Sequence, residues 1–171
     1  LFMDVSGGVA ASGTNVQQWG ANVAMRSNSW HFKSAGDGYY YIYSLLDNGK
    51  SYLLDLNGGK AVNGTNISIY SENLSAAQCF KFAQNADGSY TIFTKASDDK
   101  STVEVKNASK ENGANVQEWE LNGNDCQKWN LIPAELPIEE PATTQPITAS
   151  DSKNIVIYGD ANNDGIVDIS D

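Results

Sequence analysis

Cysteine and histidine are nearly absent: the 171-residue chain holds two cysteines and one histidine. Cys79 and Cys126 fall at different offsets within the repeats described below, so no bridge between them is predicted and the redox compartment stays open. The lone His31 has no serine or cysteine pattern to serve, which removes the usual nucleophile–base pair; between Trp30 and Phe32 it reads as a strand residue. Basic residues are scarce, 11 against 21 acids, for a net charge of −10. Nucleic-acid phosphates would be repelled by such a chain, and neutral ligands are the natural alternative. No apolar run approaches the roughly 18 residues of a membrane-spanning helix, and no segment keeps a helical period. Leu1 opens no signal peptide and sits inside a structural unit, so an upstream portion is expected. Proline is confined to one stretch, with all four residues between Pro133 and Pro146.

What the chain does have is an internal repeat. Met3-Asp4-Val5-Ser6-Gly7-Gly8 aligns with Leu54-Asp55-Leu56-Asn57-Gly58-Gly59 and with Val103-Glu104-Val105-Lys106-Asn107. Gly13-Thr14-Asn15-Val16-Gln17-Gln18-Trp19 aligns with Gly64-Thr65-Asn66-Ile67-Ser68-Ile69-Tyr70 and Gly113-Ala114-Asn115-Val116-Gln117-Glu118-Trp119. Asn28-Ser29-Trp30, Gln78-Cys79-Phe80 and Gln127-Lys128-Trp129 form a third landmark. Three landmarks in one order, about 50 residues apart, define three units.

Each unit reads as short strands between Gly/Asn turns. Tyr39–Tyr43 and Tyr90–Thr94 are aromatic, β-branched runs that follow the hairpin signals Gly36-Asp37-Gly38 and Asp87-Gly88-Ser89. The expected fold is all-β, a β-trefoil with threefold pseudosymmetry. Unit one lacks the strand that these runs supply to the units after them. Either residues upstream of Leu1 are missing or another segment takes that place. Trp30, Phe80 and Trp129, each two residues after an amide, are expected in the core.

A neutral sugar asks for a flat aromatic against its C–H face, and for a carboxylate and amides at its hydroxyls. Unit one offers Asp4, Gln17, Trp19 and Asn22; unit two, Asp55, Tyr70 and Asn73; unit three, Glu104, Gln117, Trp119 and Asn122. The Asn follows the aromatic by three positions every time. Any one of these residues could be turn chemistry; the threefold set points to sugar contact.

The acid in its Leu-Asp-Val-like context, the Gly-Thr-Asn-Val-Gln-x-Trp stretch and the Gln-x-Trp landmark resemble ricin-type lectin repeats, as in family 13 carbohydrate-binding modules. The resemblance covers about residues 1–133. It implies up to three sugar pockets in which the acid, the aromatic and nearby amides, Asn28, Gln78 and Gln127 among them, contact galactose- or xylose-containing glycans. The departures are Asn28 for Gln, Ser68 and Phe80 for Gln and Trp, Glu104 for Asp, and the absence of the cysteine pairs many such repeats carry. They rank unit one first, unit two second and unit three third.

Residues 134–154 read as a Pro/Thr-rich acidic linker. From Glu135 onward the chain carries eight acids and only Lys153 as a base. Within 155–171, Asp160, Asn162, Asp164, Asp168 and Asp171 occupy positions 1, 3, 5, 9 and 12 of an EF-hand-type loop, with Gly165 at the turn and the Ile166 carbonyl at position 7. This loop resembles the first repeat of a type I dockerin, cut short. The resemblance implies weak or partial Ca2+ binding, cohesin as a partner only if the dockerin is complete, and a secreted, cellulosomal setting.

The resulting expectation is a non-catalytic module that targets an upstream glycoside hydrolase to plant cell-wall polysaccharide, galactan or arabinogalactan before xylan. The alternatives are a catalytic glycoside hydrolase and a protein-binding trefoil. Hydrolysis needs two carboxylates across one bond, about 5–9.5 Å apart, whereas the repeated acids come one per unit. A protein-binding trefoil has no need of the acid–aromatic–Asn set three times.

Overall fold

The computed structural model describes residues 1–21, 24–134 and 154–159; in the last segment only the side chain of Ile157 is described. Twelve strands run in three sets of four among these residues. Unit one holds β1 (Phe2–Val5), β2 (Thr14–Trp19), β3 (Ser29–Gly36) and β4 (Tyr39–Ser44). Unit two holds β5 (Tyr52–Leu56), β6 (Ile67–Ser71), β7 (Cys79–Gln84) and β8 (Tyr90–Thr94). Unit three holds β9 (Ser101–Val105), β10 (Ala114–Glu120), β11 (Trp129–Pro133) and β12 (Asn154–Gly159). Every pairing is antiparallel, and all twelve strands join one closed network.

The fourth strand of each unit ties its unit to the next. β4 pairs β3, meets β5 at Tyr43–Leu53 and meets β7 through Tyr39–Tyr41. β8 repeats the pattern with β7, β9 and β11. β12 completes it: Ile155–Gly159 lie opposite Pro133–Trp129 of β11, Tyr158 opposite Phe2 of β1, and Asn154–Val156 opposite His31–Ser29 of β3. The strand that unit one lacked therefore comes from the far end of the chain. Asn154, expected as the end of a linker, and Ile155–Gly159, expected as the lead-in to a metal loop, belong to the trefoil here. The cause is local: Ile155-Val156-Ile157-Tyr158 is a β-branched and aromatic run, and Ile157 is fully buried in the core. The β3–β4 hairpin turns tightly, whereas β7 and β8 are joined through residues 85–89. Asp37 and Gly38, at φ +53° and +80°, have the left-handed backbone of a two-residue hairpin turn.

The core forms where the units converge. Trp30, Phe80 and Trp129 are buried, packed with Met3, Leu54, Val103 and Ile157, as their spacing predicts. The Trp30 indole N–H donates to Met3 O at 3.3 Å and that of Trp129 to Val103 O at 2.9 Å. Phe80 has no such donor.

Two further landmarks of the repeat acquire a structural reason. The amides of Gly13, Gly64 and Gly113 donate, each at 2.8 Å, to the carbonyls of Ile69, Glu118 and Gln18 in the neighbouring unit. Their φ values of +85°, +88° and +83° suit glycine alone among ordinary residues. Two residues on, Asn66 Nδ2 donates to Asn15 Oδ1 at 2.9 Å and Asn115 Nδ2 to Asn66 Oδ1 at 2.8 Å, linking side chains from all three units.

Candidate functional site

Each candidate site starts at the end of a unit's first strand. Asp4, Asp55 and Glu104 sit opposite Gln17, Ser68 and Gln117 of the paired strand, and the aromatic lies two residues further along. A period of two puts that aromatic on the same strand face. Trp19 and Tyr70 are exposed, at 44% and 46%, while the acids are buried at 5–8%. Trp119 is half-buried. The aromatic is held from behind by the neighbouring unit, since the glycine clasps described above grip the residue just before it. A Cβ on Gly113 would lie 3.8 Å from the Trp19 ring.

Gln78 and Gln127, expected at the sugar, are fully buried. Gln78 Oε1 accepts from the amides of Asn73 (2.9 Å) and Leu74 (3.0 Å), and its Nε2 donates to Ser71 O (3.0 Å). Gln127 repeats this with Asn122, Gly123 and Glu120. Both also bond the acid of their own unit: Gln127 Nε2 donates to Glu104 Oε2 at 3.0 Å, and Gln78 bonds Asp55. They thus fix the turn that carries Asn73 or Asn122 together with the carboxylate. Asn28, one methylene shorter, accepts from Met25 N at 2.8 Å, but its Nδ2 meets no acceptor among the described residues. Asn22 lies outside the described residues.

The three acids are in different states. Glu104 is taken up by its own unit, with Gln117 Nε2 on Oε1 at 3.0 Å, Gln127 on Oε2, and the Cys126 thiol 3.8 Å from Oε2. Burial and the adjacent carboxylate push that thiol up to about 11. Among the described residues, the one side chain that donates to Asp4 is Gln17, over a long 3.4 Å bond. Asp55 opens on a cavity of about 800 Å3 lined by Gly13, Asp55, Asn57, Tyr70, Asn73 and Ala96 among others. Burial raises its pKa, and the Gln78 bond acts in the opposite direction.

Ser68 supplies the physical reason for the opening in unit two. Where Gln17 and Gln117 lean on the acid, Ser68 turns to Asn57 and donates to its Oδ1 at 2.5 Å. Of the lining residues, Asn57, Gly58, Gly59, Ser75, Ala76 and Ala77 were not singled out from sequence as binding residues. Asn57-Gly58-Gly59 were visible there only as part of the repeat landmark. No group of three or more His, Cys, Asp or Glu among the described residues could hold a metal ion. The loop residues Asp160, Asn162, Asp164, Ile166, Asp168 and Asp171 lie outside the described residues.

The pattern of the family described as ricin-type beta-trefoil lectin domain-like matches the chain at residues 1–70, 26–119 and 76–167. Among solved structures, a designed threefold-symmetric protein, ThreeFoil, is 28% identical, with a TM-score of 0.69 over 74% of this chain and 86% of that one. An exo-β-1,3-galactanase from Clostridium thermocellum is 27% identical, with a TM-score of 0.68 over 74% of this chain; the match spans only 26% of the galactanase. The Rhizoctonia solani agglutinin, 21% identical with a TM-score of 0.61 over 74% of this chain and 82% of that one, shares the fold. Comparison with curated proteins by sequence gives no match.

Proposed function

Because the chain belongs to the ricin-type β-trefoil lectin domain-like family, we propose that it is a non-catalytic carbohydrate-binding module that holds an attached glycoside hydrolase on plant cell-wall polysaccharide. The observation that carries this reading is the unit-two cavity. An exposed Tyr70 ring, a buried Asp55 carboxylate and Asn73 converge on about 800 Å3 of open space. That volume is within the ~300–1,000 Å3 usual for small-ligand sites. A sugar lying on Tyr70 would give hydroxyl protons to Asp55, a charge-assisted bond worth about 1.5–3 kcal/mol before desolvation and ordering costs. Weak single sites gain from repetition. The repeated acids belong to three different units, which favours binding over hydrolysis. The likeness to a galactanase puts galactan or arabinogalactan ahead of xylan as the target.

The same reading extends to the C-terminal segment. The ligands expected from Asp160 to Asp171 are all oxygen donors, which suits Ca2+. A dockerin-like start there would place the module in a secreted, multi-part glycan-degrading enzyme, with cohesin as partner only where a second repeat follows.

The test is titration with galactose, xylose, arabinogalactan and xylan, followed by tryptophan fluorescence and calorimetry, with a parallel assay for hydrolysis. Binding to one glycan class, lost in Tyr70→Ala with an unchanged melting temperature, supports the reading. Turnover by this chain, or no response to any of the four, overturns it.

A further inference from the structure

Unit two differs from its sisters at two positions that face each other. Ser68 stands where they have Gln17 and Gln117, and Asn57 stands where they have Ser6 and Lys106. The two are joined: Ser68 Oγ–H donates to Asn57 Oδ1. That bond fixes which way the amide faces. Its oxygen is turned to Ser68, so its NH2 is the end turned away, and Asn57 lines the cavity. The serine hydroxyl, fully buried, also leaves Asp55 without the amide that Gln117 places on Glu104 in unit three.

The space is larger than one ring needs. The cavity, near the upper part of the range for small-ligand sites, runs from Gly13 of unit one past Tyr70 and Asp55 to Ala96 beyond β8. A single pyranose on Tyr70 and Asp55 fills only part of this space, whose lining also includes Asn57.

The geometry points to unit two as an oligosaccharide site, with Asn57 as the residue that reads the second sugar. The first ring sits on Tyr70 and Asp55, and the Asn57 amide donates to a hydroxyl or ring oxygen of the ring joined to it. Ser68 is the positioning residue that aims the amide. This rests on the carbohydrate-binding reading of the same site. Units one and three, with Ser6 and Lys106 in place of Asn57, lack this second contact.

The test uses Asn57→Ser, because Ser6-Gly7-Gly8 makes the same turn in unit one and the variant keeps the fold. Trp19→Ala in both backgrounds silences unit one. Galactose, β-1,3-galactobiose and β-1,3-galactotriose are titrated by calorimetry, and the Asn57 side-chain amide is followed by 1H–15N NMR. The Trp19→Ala reference should bind the trisaccharide about tenfold more tightly than galactose, the worth of one added hydrogen bond. The Asn57 amide resonance should shift with the disaccharide and not with galactose. Asn57→Ser should weaken the trisaccharide by about tenfold and galactose by clearly less, so that the gain with length is lost. Ser68→Ala should show the same loss in weaker form. Equal affinity for all three sugars, or equal loss for all three in Asn57→Ser, overturns the second-ring contact while leaving sugar binding intact. No binding by the unaltered chain to any of the three overturns this inference for galactans, and silence toward xylose and xylotriose as well overturns the carbohydrate reading beneath it.

Discussion

Ile157→Ala tests whether Asn154–Gly159 closes the trefoil. Ile157 is fully buried among the core residues and lies opposite Leu131 of β11. The substitution removes three carbons, about 2.4 kcal/mol of transfer free energy at ~0.8 kcal/mol per methylene. The void left in a core held by Trp30, Phe80 and Trp129 adds to that, so the expected loss is about 3 kcal/mol, within the range for Ile→Ala in cores. In a domain of this size the melting temperature should fall by on the order of 10 °C. Equilibrium unfolding in urea, read by tryptophan fluorescence, measures the change in midpoint at constant slope. Ile157→Val, which removes one carbon, should cost about 0.5–1.5 kcal/mol, so the pair forms a graded series. A strand that merely brushed the domain would give a loss below about 1 kcal/mol for Ile157→Ala and no grading. Either result refutes the closure.

Two further outcomes follow from buried polar groups. Trp129→Phe should cost about 1–2 kcal/mol in the same unfolding assay, because it leaves Val103 O without its 2.9 Å indole donor; Phe80 already fills the equivalent place in unit two, so the fold should survive. Glu118 is fully buried, its Oε2 has no partner among the described residues, and burial raises its pKa above the usual 4.5. Its folded form thus prefers the proton. The stability it supports is complete below pH 4.5 and is lost as pH climbs through the raised value. Glu118→Gln should leave stability near pH 4 unchanged and raise it by about 1 kcal/mol at pH 7, flattening the pH profile of the urea midpoint. At the matching position Gln18 already donates to Ser109 O at 2.9 Å.

Much of this architecture was readable because each unit repeats the same demands. Glycine recurs where the backbone must be left-handed, and Trp30, Phe80 and Trp129 recur where the core must be filled. The twelfth strand was harder. Asn154–Gly159 is separated from β11 by twenty residues rich in proline, threonine and acid, whereas β3 and β4 are joined by a two-residue turn. Sequence distance hides the pairing, and the strand ends directly before a metal-loop pattern that draws attention elsewhere. The repeat pattern named the acids and aromatics that the structure sets at matching strand positions, with Asp55 and Tyr70 lining one cavity. The roles of the amides were not legible there, because Gln78 and Gln127 are spent on backbone groups of their own turns, which a linear pattern does not carry. Nor did the pattern show that Ser68, a loss of the family's Gln, opens the space in front of Asp55 instead of weakening it.

The three glycine clasps have a consequence for how the domain could be cut or rearranged. Gly13 holds unit two, Gly64 holds unit three and Gly113 holds unit one, so they form a ring with no first member. Removing one unit would sever two of the three links and strand the remaining one. Moving the chain's ends to an exposed turn between units would sever none. The domain is therefore indivisible by subtraction yet indifferent to where its chain begins, and each repeated aromatic is held by a neighbouring unit as well as by its own repeat.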